Sequence, residues 1–96
     1  MVTTTVYDSA ELLDTEEAIC AYLDEALTTE DPAFIAHALG TVARARGMTS
    51  VAKGAGLSRE SLYKALSSGG NPEFGTVLRV MQSLGLRFSI SGIAER

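Results

Sequence analysis

The 96-residue chain holds one cysteine, Cys20, and one histidine, His37. A single cysteine closes no intrachain disulfide and builds no cysteine-based metal cluster, so neither device is available to brace a small fold. Such usage fits a reducing interior, and the expected location is cytoplasmic. No apolar run approaches the roughly 18 residues that a membrane span needs. The opening MVTTTVYDSAELLD lacks the basic-then-apolar pattern of a secretory leader. No Ser/His/Asp set, glycine-rich phosphate loop or metal cluster is available, so the chain reads as a non-enzyme with no cofactor. His37 shares helical spacing with Thr41 and Arg44, off the apolar stripe, and reads as exposed. Cys20 borders an apolar stripe and reads as a small buried hydrophobe rather than a reactive thiol.

One further absence is positional. Residues 1–40 carry nine acids and no lysine or arginine, while residues 41–96 carry eight cations and three acids. The halves are −9 and +5, within a net charge of −4 and a pI of about 4.8. An acidic protein is repelled by DNA on average. The asymmetry instead points to a nucleic-acid face in the second half and a different partner for the first.

What is present is a globular composition, 46% apolar and 21% charged. It predicts one domain over 1–96: an acidic N-terminal part (1–40), a DNA-binding core (41–85) and a C-terminal strand (86–91). The expected fold class is all-α with five helices. The first spans about Thr15–Thr28, capped by Asp14 with Glu17 three residues on, and its apolar face is Ile19, Tyr22, Leu23, Ala26 and Leu27. Its acids form a solvated surface or a partner face. The second opens at Asp31-Pro32, buries Ile35, Ala38, Leu39 and Val42, and stops at Gly47. Arg44 and Arg46 in its last turn suit the helix dipole or face a phosphate backbone. The third covers Thr49–Gly54, and the fourth runs from Ser58 to about Ser67. The fifth runs from Glu73 to Leu84, with Phe74, Val77, Leu78, Met81 and Leu84 apolar. Beyond Gly85 the period becomes two: Leu86, Phe88 and Ile90 alternate with Arg87, Ser89 and Ser91. A strand needs a ladder partner. Thr3–Tyr7 is one choice. The same strand of a second subunit is preferred, because it would also build a homodimer.

The most informative stretch is AGLSRESLYKALS, Ala55 to Ser67. Two short helices crossing at a steep angle need a small residue at the contact, here Ala52. They also need a turn residue free to adopt positive φ, here Gly56. Val51, Leu57, Leu62 and Leu66 hold the pair to the core, and Ser58 caps the second helix. A plain helical hairpin could share these residues. The basic surroundings and the polar outer face favour a DNA-reading helix-turn-helix.

Val42 to Ile90, above all its pieces ARARGM, GLSRESLYKAL and GNPEF, strongly resembles the addiction-module antidote family. These are bacterial antitoxins with a helix-turn-helix of the Cro/phage-repressor type. LLDTEEAICAYLDEAL resembles the N-terminal helix of that family. The resemblance implies a five-helix DNA-binding fold, repression of the protein's own operon, and a cognate toxin, usually a small RelE-type ribonuclease. The alternative is a stand-alone helix-turn-helix repressor without a toxin, and an interaction module that never touches DNA stands behind both.

On the DNA-binding reading Arg59 meets a guanine edge, Glu60 accepts from cytosine, and Tyr63 and Lys64 reach bases or phosphates one turn on. Thr49 and Ser50 offer hydroxyls and amides to a phosphate, with Lys53, Ser58 and Asn71 as further contacts. Thr49, Ser50 and Ser58 could instead serve only as caps, and Tyr63 could pack on the core edge. Double-stranded operator DNA, a toxin and a second copy are thus the expected partners, with Leu86, Phe88 and Ile90 at the dimer contact.

Overall fold

The computed structural model describes residues 13–67 and 69–93. Five helices follow in order: α1 (Glu16–Leu27), α2 (Pro32–Arg46), α3 (Met48–Ala55), α4 (Arg59–Ala65) and α5 (Phe74–Ser83). Three of them start on a polar side chain that satisfies an otherwise orphaned amide. Thr15 caps α1, its Oγ1 accepting from the Ala18 amide at 3.0 Å. The cap is therefore not Asp14. Thr15 is the residue in extended conformation one step before the first helical turn, and only from there does a short side chain reach the third helical amide. Asp31 caps α2 through Oδ1 to the Ala33 amide at 3.1 Å, with Pro32 in the first turn. Gly47, at φ 108°, ends α2 and leads directly into α3.

One cluster of buried side chains joins all five helices. Ile19, Leu23 and Ala26 come from α1, Leu39 and Val42 from α2, Val51 and Ala52 from α3, Leu62 from α4, and Val80 and Met81 from α5. α3 is the hub, packing against α2, α4 and α5. Two polar ties fasten α5 to it: Arg79 Nε donates to the Ala55 carbonyl and Ser83 Oγ to the Val51 carbonyl, both at 3.1 Å. The Ala55 carbonyl lies in the last turn of α3, where a side chain supplies a partner that the helix no longer offers.

Three further local expectations are corrected. Cys20 is exposed, because Ile19 and Leu23 carry the inward stripe and the next position is rotated off it. On α5, Val80 is fully buried whereas Phe74 is 69% exposed and Leu78 lies at the surface. The inward stripe there is Val77, Val80, Met81 and Leu84, and Phe74 stacks on Phe88 instead, ring centroids 6.2 Å apart.

The third correction concerns 86–91, where no strand forms; none is present among the described residues. The Leu86 amide donates to the Met81 carbonyl at 2.9 Å, closing the end of α5. Leu86 and Phe88 then pack on the core of their own chain. The alternation of the sequence is genuine, but its inward side chains are satisfied by helices, and no described segment lies alongside to build a ladder. Thr3–Tyr7 falls outside the described residues.

Candidate nucleic-acid interface

The outward face of α4 is set by what lies beneath it. The Leu62 side chain is fully buried and Leu66 nearly so. Burying one such leucine favours this placement by about 1.5–3 kcal/mol. The approach from α3 is a tight turn. Gly56 sits in the left-handed region at φ 71°, ψ 30°, and the Leu57 amide donates back to the Ala52 carbonyl at 2.9 Å. A residue with a Cβ is disfavoured there, as expected for this position. Ser58 follows in extended conformation. Its Oγ accepts from the Ser61 amide at 3.0 Å and donates to the Ser61 hydroxyl at 2.9 Å.

With α4 fixed on one side, Arg59, Glu60, Ser61, Tyr63 and Lys64 are exposed on the other. Tyr63 does not pack into the core; it is 42% exposed. Its ring lies under the Arg59 guanidinium, 5.4 Å from ring centroid to guanidinium carbon. This cation–π contact between residues one turn apart holds the arginine along the helix while its N–H donors stay in solvent. Arg59 and Tyr63 thus form a unit, which their i, i+4 spacing allowed without revealing.

Thr49 and Ser50 lie exposed in the first turn of α3. The cap of that helix is Gly47, and no side chain caps it. The two hydroxyls are therefore not engaged as caps, unlike that of Ser58. Lys53, one turn beyond Thr49, is exposed as well. Asn71 arrives from a different segment. Together with Ser61, Lys64, Ser67 and Gly70 it lines an open groove at the end of α4. Gly70 explains the proximity: a Cβ there would stand 2.6 Å from the Lys64 carbonyl oxygen and 2.8 Å from the Ala65 carbonyl carbon. Only glycine lets the loop lie so close to the helix. Ser61 was not singled out from sequence; its three-residue offset from Ser58 was the available signal.

Most charges of both halves are exposed. Arg44, Arg46, Lys53, Arg59 and Lys64 are all exposed, with Glu60 the single acid between residues 41 and 67. Arg44 lies along its own helix, donating to Thr41 Oγ1 at 3.2 Å. On α1 and the start of α2, Glu16, Glu17, Asp24, Glu25, Glu30 and Asp31 are exposed, with no lysine or arginine among them. Of the three residues expected at a dimer contact, Leu86 and Phe88 are half-buried in their own chain and Ile90 is 98% exposed.

Residues 3–92 match a family model described as "Probable addiction module antidote protein". The chain is also 51% identical over 84 residues to a Haemophilus influenzae protein titled "Uncharacterized protein", an alignment covering 88% of this chain and 87% of that relative. No solved structure matches it.

Proposed function

Since the chain belongs to the addiction module antidote family, we propose that it is the antitoxin of a two-protein module, neutralising a toxin and repressing its own operon through a Cro-like helix-turn-helix formed by α3 and α4. The supporting observation is α4 itself: a helix anchored by Leu62 and Leu66, set by a positive-φ turn, and presenting Arg59 braced on Tyr63 to solvent. α4 enters the major groove, and Arg59 donates two hydrogen bonds to a guanine edge. Tyr63 limits the rotamers that Arg59 gives up on binding. Glu60 faces cytosine, while Lys64, Lys53, Asn71, Thr49 and Ser50 meet phosphates and fix register without reading sequence. Ser58 contributes through its cap. The protein acts as a homodimer, placing two α4 helices on half-sites one DNA turn apart. With Leu86 and Phe88 committed to the core, the exposed Ile90 remains available to meet a second copy at the two-fold axis. The toxin is a RelE-type ribonuclease, and the module works in the cytoplasm.

The test is binding of the purified protein to DNA upstream of its own reading frame across a salt series. Wild type should lose affinity steeply with salt. Arg59→Ala should cost about 1–3 kcal/mol and relax discrimination at one base pair of each half-site. An Arg59→Ala protein as tight and selective as wild type would refute the assignment. Co-expression with the adjacent reading frame should rescue growth. DNA binding without rescue or complex formation would mark a stand-alone repressor.

A further inference from the structure

We infer that the groove between α1 and the segment Leu86–Ser89 is where the toxin docks, through a basic segment carrying one apolar anchor. This rests on the antitoxin reading and adds the site and the chemistry of its occupant. The groove is open, about 400 Å³. Ala21 and Leu27 of α1 form one wall and Leu86 and Phe88 the other. At one end it continues into a notch lined by apolar side chains alone, among them Leu27, Ile35 and Phe88. Asp24 stands in the groove, and Glu16 borders the adjoining depression. Arg87 is the one cation lining it.

Charge selects the occupant. α1 carries no lysine or arginine: Asp24 lies in the groove, Glu16 beside it, and Glu17 and Glu25 are exposed on the same helix, so acids outnumber the single Arg87. DNA is excluded by repulsion. A second copy related by a two-fold axis would set one acidic α1 against another, and like charges juxtaposed across an interface are costly. A second copy docking through its basic α4 would occupy its own DNA-reading helix and leave a contact that does not close. A basic partner gains attraction and apolar burial together. The location also leaves α4 free, so toxin and operator can be held at once.

The test uses the full-length protein and the purified product of the adjacent reading frame. Ala21→Arg and Asp24→Lys each place a cation in the groove at exposed helical positions that tolerate these residues. Each should weaken the complex by roughly tenfold or more, with operator affinity unchanged. Arg59→Ala should do the reverse. Hydrogen exchange on the wild-type complex is the second measurement. The amides of Arg87–Ser89, which make no backbone hydrogen bond among the described residues, should gain protection. If wild type binds this product and both variants bind it equally, or protection falls on α4, the groove assignment fails while the antitoxin reading stands. If wild type does not bind the product at all, both fail. If the variants dissociate a homodimer instead, the occupant is a second copy and the proposal is overturned.

Discussion

Gly40 lies in the middle of α2, and its replacement by alanine tests whether α4 is seated as closely as described. Helix propensity alone favours alanine over glycine by about 0.8–1.0 kcal/mol in a helix interior. The packing says otherwise. A Cβ on Gly40 would stand 2.8 Å from the Leu66 carbonyl oxygen and 3.4 Å from the Leu66 Cβ. The first contact is with backbone, so no rotamer change relieves it, and Leu66 is itself buried. The end of α4 must move outward by several tenths of an ångström. Overpacking of this kind costs about 1–3 kcal/mol, which exceeds the propensity gain. The expected net effect is destabilisation by about 1 kcal/mol, a Tm lower by ~4–8 °C for a domain of this size. The control is Gly75→Ala in the first turn of α5, where the nearest atom is the flexible Arg79 NH1 at 3.8 Å. That change should be neutral or stabilising by up to about 0.5 kcal/mol. Urea and thermal unfolding followed by circular dichroism, with both variants side by side, read the difference. A Gly40→Ala protein stabilised as much as Gly75→Ala would show that α4 does not approach α2 as described. If α4 reads DNA as proposed above, the same displacement should weaken operator binding beyond the stability loss.

Leu62→Ala removes a fully buried side chain from the only inward position of the short α4 helix and should cost about 2–5 kcal/mol; a urea midpoint within error of wild type would disprove its anchoring role. Ser58→Ala abolishes the cap on the Ser61 amide and should lower stability by about 1 kcal/mol, with Ser58→Asp restoring most of it; equal unfolding curves for all three proteins would refute the cap. Arg79→Ala frees the Ala55 carbonyl beside the Gly56 turn and should cost about 0.5–1.5 kcal/mol; Arg79→Lys, which cannot reproduce the planar donor geometry, should recover little of it, and full recovery would mean that charge alone matters there.

Much of the helical framework was legible in the chain because its signals are local. Asp31-Pro32 starts α2, Ser58 starts α4 and Gly56 takes the left-handed turn, each through atoms a few residues away. The candidate site was legible in part. Arg59, Glu60 and Lys64 fall on the outer side of α4 once Leu62 and Leu66 are recognised as inner residues. The exposure of Tyr63 was not, since a tyrosine has an apolar ring for the core and a hydroxyl for water. Nor was the freedom of the Thr49 and Ser50 hydroxyls, which followed only from Gly47 serving as the cap of α3.

By itself, then, the sequence determined the five helices found among the described residues, where most of them begin, and the division between an acidic first half and a basic second half. These depend on short-range hydrogen bonding, helical period and composition. Tertiary structure alone decided that Val80 rather than Phe74 faces inward, that Asn71 lies beside Lys64, and that Leu86 and Phe88 close over the core instead of entering a strand. Each is a choice between partners distant along the chain. Alternation along a segment shows that it has two faces, but only the packed molecule shows what covers each of them.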